Sequence, residues 1–248
     1  MDLDSGIIRK IQALGRPTME EFLECRNVRI AARTDPATEV AGDFFDVMAR
    51  PDGSTLIGIG DVTGHGLASG IITLLARNVF RSTFADSDLS ITDGLMKINA
   101  ALFESLQHDM RDENNLTLIL MKCSENEICV TGTHENIILS RPGKKFEIID
   151  TTKLGMYIGL EANISDYVTE QRIPFQEGDI LLLYTDGATD IENEKGEYFG
   201  LERLLISFGE HKNLPVEGIV DAMMDDIYRW TEGRPAPDDI TLMAVAKA

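Results

Sequence analysis

An α+β layered sandwich is the fold class this sequence predicts, on three observations. Short apolar strands are grouped in the middle of the chain, between Leu116 and Tyr184. Helical periodicity comes in pairs, one before that stretch and one after it, rather than once after each strand as in a doubly wound parallel sheet. Three apolar strands meet an aspartate beside a tight turn: Leu56-Ile57-Gly58-Ile59-Gly60-Asp61, Ile180-Leu181-Leu182-Leu183-Tyr184-Thr185-Asp186-Gly187, and Asp238-Asp239-Ile240-Thr241-Leu242.

Taken in order, Leu3, Ile7, Ile11 and Leu14 recur at helical spacing up to Gly15-Arg16-Pro17, which predicts a short amphipathic helix. Residues 1–17 are therefore read as a linker or dimerisation helix, continuous with an upstream sensory region or pairing two copies, and residues 18–248 as one domain. Val28 to Ala32 and Ser54 to Ile57 read as strands, with Pro51-Asp52-Gly53 as a hairpin turn. Leu67, Ile71, Leu74, Leu75, Asn78 and Val79 trace one helix face, and Leu95, Ile98, Leu102 and Leu106 another. Extended runs at 116–121, 128–131, 137–139, 146–149 and 167–173 then predict a strand meander. The apolar run from Ile180 to Tyr184 predicts a strand buried on both faces. Helices near 201–208 and 216–230 and a last strand at 240–246 complete the order. Met223, Met224 and Trp230 belong to a helix face packed on the sheet.

Composition limits the partners. The chain of 248 residues has 23 Lys plus Arg against 42 Asp plus Glu, a formal charge of −19. Nucleic acid and anionic membrane both select basic surfaces, so neither is expected as a partner. Cys25, Cys123 and Cys129 lack metal-ligand spacing and read as reduced thiols of a cytoplasmic protein. No apolar run approaches the roughly 18 residues that span a bilayer.

The strand-end aspartates point to a metal. Carboxylates converging at the mouth of a buried sheet repel one another and raise each other's pKa unless a hard cation sits between them. Glu39-Val40-Ala41-Gly42-Asp43-Phe44-Phe45-Asp46 adds acidic groups at the end of an earlier run, and Gly60-Asp61-Val62-Thr63-Gly64-His65-Gly66 forms a strand-to-helix turn open to close backbone approach. No Lys-Ser or Lys-Thr pair follows, which excludes a phosphate-binding P-loop. His65 is read as fixing the turn rather than as a general acid, and His134 as a surface or loop residue.

In this order the four segments, Glu39 to Asp46, Gly60 to Gly66, Tyr184-Thr185-Asp186-Gly187 and Asp238-Asp239-Ile240-Thr241, resemble the SpoIIE/RsbU-type branch of the metal-dependent, 2C-like serine/threonine phosphatases. Gly132-Thr133-His134-Glu135-Asn136 falls at that family's Ala-Gly-His-Asn turn, and Gly196 to Gly200 at the stretch before its penultimate helix. The resemblance implies a four-layer αββα sandwich, two antiparallel sheets flanked by helix pairs, with a binuclear metal site at one edge. It implies Asp61 as the carboxylate bridging two Mn²⁺ or Mg²⁺ ions, the Val62 carbonyl as a further ligand, Asp186 and Asp239 completing one ion, and Asp43 holding the second directly or through water. Glu39, Asp46, Asp190 and Asp238 would either orient waters and ligands around them or lie at the surface. A metal-activated hydroxide would attack phosphoserine or phosphothreonine without a covalent intermediate. The usual substrates are STAS-type anti-sigma-factor antagonists of bacterial partner switching. The alternative is a non-catalytic module that keeps the fold to bind a partner. Ala41 stands where this branch commonly has glycine, which makes its backbone angles a test of the local geometry.

Overall fold

The computed structural model describes Lys10, Phe22, Cys25 and residues 27–64, 66–85, 88–109 and 115–248. The stripe Leu3, Ile7, Ile11 and Leu14 and the turn residue His65 lie outside the described residues. The strands are β1 (Val28–Asp35), β2 (Asp43–Ala49), β3 (Thr55–Val62), β4 (Leu116–Cys123), β5 (Glu127–Thr133), β6 (Ile137–Ser140), β7 (Glu147–Ile149), β8 (Glu170–Pro174), β9 (Ile180–Tyr184) and β10 (Ile240–Lys247). The helices are α1 (Leu67–Phe84), α2 (Ile91–Asp109), α3 (Gly200–His211) and α4 (Val216–Thr231). Among the described residues no helix is long and apolar enough to cross a membrane.

Strand alternation explains the layering. Successive side chains point to opposite faces, and most of these strands are apolar at successive positions, so both faces of each sheet need cover. The first sheet runs β1-β10-β9-β6-β7 and the second β2-β3-β4-β5-β8, and every pairing in both is antiparallel. Phe45, Val47, Ile57, Ile59, Ile119 and Met121 of the second sheet meet Leu139, Leu181, Leu183, Met243 and Val245 of the first in a middle core. The opposite face of the second sheet packs on α1 and α2 through Phe44, Leu118, Leu120, Phe80 and Leu95. That of the first packs on α3 and α4 through Leu182, Tyr184, Leu242, Phe208, Met223 and Met224. The result is the αββα sandwich that the family resemblance implies, consistent with the order of elements.

Two expectations need correction. The strands from β4 to β8 are not one meander: the chain leaves the second sheet after β5, forms β6 and β7 in the first, returns for β8 and crosses again for β9. The edge of β5 that β6 would need is taken by β8. The α1 stripe is also turned. Leu67 and Leu75 are 41% and 40% exposed, while Ser69, Ile72, Thr73, Ala76, Arg77 and Phe80 are buried. The polar members of that face have partners beneath them: Thr73 Oγ1 donates to the Gly42 carbonyl at 2.6 Å and Arg77 to the Phe45 carbonyl at 3.0 Å. The α2 stripe Leu95, Ile98, Leu102 and Leu106 is buried as expected, as are all three cysteines. Trp230 packs on Phe199 with the Arg203 guanidinium 4.0 Å above its ring.

Candidate metal centre

Extending the middle-core alternation to the strand ends builds the site. Two residues beyond Phe45, Ile59, Ile119, Leu183 and Met243 stand Asp43, Asp61, Thr117, Thr185 and Thr241, and two beyond Thr241 stands Asp239. All six positions therefore face the gap between the sheets, at one end of it. Asp43 and Asp61 are direct partners across β2 and β3, and Thr117 is the partner of Asp61 across β3 and β4. Asp186 follows β9 in a short 3₁₀ turn, Asp186–Ala188, and its own carbonyl accepts the Thr189 and Asp190 amides.

Hydroxyls and amides hold these carboxylates in place. Asp43 Oδ2 accepts from Thr185 Oγ1 at 2.9 Å and from Thr241 Oγ1 at 2.5 Å, so a second-sheet carboxylate is tied to two strands of the first. Thr34 Oγ1 lies 2.8 Å from Thr241 Oγ1 and donates to it, because the Thr241 proton is committed to Asp43. Asp239 accepts the Ala37 amide on Oδ1 at 2.7 Å and the Gly42 amide on Oδ2 at 2.6 Å, which wraps the β1–β2 connection around it. Ala41 in that connection is buried at an ordinary backbone angle, since Glu232 is the one non-glycine residue with positive φ among the described residues. The methyl group in place of glycine is accommodated.

The electrostatics are those of crowded acids. Burial, and then the charges of Asp186, Asp238 and Asp239, push Asp61 up to about 8. Asp43 is raised well above the carboxylate range by burial and then by Asp61, and Asp186 by burial and then by Asp238 and Asp190. Asp239 is raised by burial against the pull of the Ala37, Gly42 and Asp43 amides. The strongest charged neighbours of Asp61 are all carboxylates. Asp46 makes the contrast: fully buried, it takes Arg81 in a bidentate pair at 2.7 Å and 2.7 Å, with Arg77 Nε at 3.9 Å. It faces α1, away from the gap, so the expectation that it orients ligands of the metal is corrected: alternation places it with Phe44, on the other side from Asp43. Its charge is already neutralised by arginines, whereas that of the Asp61 group is not.

Of the other acids, Asp238 stands close enough to act on Asp61, Asp186 and Asp239, and Asp190 acts on Asp186 from an exposed position. The Val62 side chain is buried in the core under α1 and α2 at the end of β3. A cleft of about 250 Å³ opens beside Asp61 and Asp186, walled by Thr117, His134, Glu135 and Tyr157. Glu135 is raised by burial and then by Asp186 and Asp190. His134 is not a surface residue: it is 9% exposed, its Nδ1 is 2.8 Å from Thr117 Oγ1, and burial lowers it to about 4. Of the supporting groups, Thr117 lies in none of the motifs, while Thr185, Thr241 and His134 stand inside them without having been read as part of the site. Counting in twos from the apolar strand positions would have found the threonines.

Close approach fixes one glycine. A Cβ on Gly187 would stand 2.1 Å from the Asp239 carbonyl oxygen, so two of the acidic segments touch backbone to backbone here. Gly187→Ala should lose about 1–3 kcal/mol of stability by overpacking, read as a lower melting temperature in chelator. An unchanged melt would mean that the two segments separate freely.

A donor set of carboxylate oxygens without soft ligands suits a hard divalent cation. Among the described residues, one group of three places its ligand atoms within 4.8 Å of one another, Glu210, His211 and Asp226. Asp226 there is already engaged by Ser207 and Arg229. The site aspartates are spread more widely, as uncompensated like charges are.

Comparison with known proteins places this arrangement in a family. The model of the Stage II sporulation protein E (SpoIIE) family matches residues 51–247. Protein IcfG of Synechocystis sp. is 26% identical over 275 residues, an alignment that takes in 98% of this chain and 42% of that protein. The chain thus spans about two-fifths of the length of this curated relative. The SiaA-PP2C domain of Pseudomonas aeruginosa superposes with a TM-score of 0.83 at 20% identity, covering 98% of this chain and 96% of that one. The catalytic domain of the serine/threonine phosphatase PstP, solved with two manganese ions, superposes with a TM-score of 0.63 at 17% identity over 88% of this chain and 97% of that one. With the family model aligned to most of its length, the chain belongs to the SpoIIE family, and it shares the sandwich fold of these phosphatase domains.

Proposed function

We propose that this chain hydrolyses phosphoserine or phosphothreonine on a protein substrate, with Asp43, Asp61, Asp186, Asp239 and the Val62 carbonyl holding two Mn²⁺ or Mg²⁺ ions. The observation that carries the reading is the gathering of buried carboxylates whose strongest charged neighbours are one another. Such a group is complete only with divalent charge between its members. When bound, the ions would supply an acidified water and positive charge for the phosphoryl oxygens. The chain's own part is to hold the oxygens. The Ala37 and Gly42 amides fix both oxygens of Asp239, the Thr185 and Thr241 hydroxyls fix Asp43, and the cleft beside Asp61 and Asp186 gives a phosphorylated side chain a place to enter.

The substrate class follows the family resemblance: a small STAS-type anti-sigma-factor antagonist in a partner-switching pathway of the cytoplasm. Residues 18–248 form the catalytic domain in this reading, and residues 1–17 join it to a second copy or to a sensory region. The acidic balance of the chain supports a protein substrate over nucleic acid or membrane.

The test is release of phosphate from p-nitrophenyl phosphate and from a phosphorylated STAS-type protein, with Mn²⁺ or Mg²⁺ and with excess chelator. Turnover with metal and none with chelator is expected on both substrates. Full turnover in chelator overturns the metal assignment. Binding of the phosphoprotein with no release under any metal would favour a partner-binding module instead.

A further inference from the structure

The site draws its carboxylates from two sheets, Asp43 and Asp61 from the second and Asp186 and Asp239 from the first. Like charges on the two sides push the sheets apart at this end, so their spacing has to be imposed by groups that carry no charge of their own. One side chain is built to do that. His134 lies in the connection by which the chain passes from β5 in the second sheet to β6 in the first. Its backbone is clamped: the His134 amide donates to Thr151 Oγ1 at 3.1 Å, and that hydroxyl donates back to the His134 carbonyl.

The ring lies between the strand ends that carry the two acids. On one side its Nδ1 is 2.8 Å from Thr117 Oγ1, and the same oxygen accepts the Asp61 amide at 3.0 Å. On the other side the Tyr184 carbonyl, two residues before Asp186, faces the remaining ring nitrogen, Nε2, which is buried and closes no hydrogen bond at ideal geometry. The protons can be assigned. A neutral ring has one donor and one acceptor. The Tyr184 carbonyl can only accept, which puts the ring proton on Nε2, aimed at β9, and leaves Nδ1 to accept from the Thr117 hydroxyl, which also lies 3.2 Å from the Asp61 carbonyl. The donors then point in one direction, from the Asp61 amide to Thr117, from Thr117 to the ring, and from the ring toward the strand that leads into Asp186.

We infer that His134 is a positioning residue that sets the spacing of Asp61 and Asp186 across the two sheets, acting through the Thr117 hydroxyl on one side and the backbone of β9 on the other. This rests on the metal-site reading above. It assigns the ring a purpose other than proton transfer: its Nδ1 is engaged by Thr117 and its burial keeps it neutral. Loss of a group that orients metal ligands costs roughly tenfold to a hundredfold in metal affinity, and that is the loss expected here.

The experiment is calorimetric titration of Mn²⁺ into the full chain, without substrate, for the parent and for His134→Ala, His134→Asn, Thr117→Val and Phe175→Leu. Asn carries an oxygen close to the place of Nδ1, so it should recover part of the affinity that Ala loses. Thr117→Val cuts the same connection from the other side and serves if His134→Ala does not fold. Phe175, fully buried in the middle core, controls for destabilisation without a change at the site. Weaker binding by about tenfold or more in His134→Ala and Thr117→Val, partial recovery in His134→Asn, and parental affinity in Phe175→Leu are expected. Parental affinity in a folded His134→Ala or in Thr117→Val overturns the inference, as does an equal loss in Phe175→Leu. No Mn²⁺ binding by the parent overturns the metal-site reading itself, and the inference with it.

Discussion

Asp61→Asn should lose phosphomonoester hydrolysis by more than about a hundredfold, a loss that removing even a supporting partner of a metal ligand can reach, while the protein melts at least as high as the parent in chelator. The two halves have one cause. Asp61 is the carboxylate on which the others converge: Asp186, Asp238 and Asp239 act on it from across the gap, and Asp43 is its partner in the sheet. Without a cation its charge is a cost to the fold, and Asn removes that charge with little change of shape. With a cation the same charge is what holds the ion. The amide retains the Asp61 backbone bond to Thr117, so the scaffold stays. Melting temperature in chelator, Mn²⁺ affinity and turnover are the three measurements. A variant that turns over near the parental rate at saturating metal removes Asp61 from the site, and one that melts well below the parent in chelator shows that its charge supports the fold.

Asp46→Ala should do the reverse, destabilising the chain by roughly 3–5 kcal/mol, the usual result of removing one partner of a buried ion pair. For a chain of this size that is on the order of 10 °C in melting temperature. Asp46 is fully buried beneath α1, and Arg77 is 5% exposed beside it. Taking the carboxylate away leaves guanidinium charge under the helix with no counter-charge at that point. Mn²⁺ affinity of the folded fraction should stay at the parental value, because alternation turns Asp46 away from the gap. Heat denaturation and Mn²⁺ titration on one preparation decide it. A melt within about a degree of the parent would refute the ion-pair account, and a large loss of affinity in folded protein would return Asp46 to the site.

These two aspartates show what the sequence could and could not reveal. Asp61, Asp186 and Asp239 were legible because each adjoins an apolar strand beside a turn, a place where a charge has no packing reason to be. Asp46 lies in the same kind of acidic segment as Asp43, three residues on, and only the face it takes separates them. The face depends on register, which a two-residue period fixes only after the neighbouring strands are known. The α1 stripe was misread for a related reason. Its buried side includes Ser69, Thr73 and Arg77, whose partners at Gly42, Phe45 and Asp46 come from β2 and the connection before it. A polar residue with a distant partner looks like a solvent residue in one dimension, and Leu67 and Leu75 look like core. His134 lies in a loop as expected, but its burial was hidden by the same blindness, since a histidine in a turn gives no sign of the hydroxyl waiting above it. The order of helices and strands needed no such partners and was legible apart from β2, whose residues were read as an acidic segment at the end of an earlier run. The exchange of strands between the sheets was not, because edge occupancy is decided by strands far apart in sequence.

The pairing of the first strand with the last has a steric consequence for anything attached to this domain. β1 and β10 run side by side over all eight residues, Asp35 opposite Ile240 at the metal end and Val28 opposite Lys247 at the other, with the Ala248 amide still bonded to the Asn27 carbonyl. At about 3.3 Å per residue, seven steps separate the ends by roughly 23 Å. A domain or tether joined after Ala248 therefore hangs from the pole opposite the cleft. It leaves the approach to Asp61 and Asp186 clear, and it would obstruct that approach only by doubling back along the whole length of the sandwich.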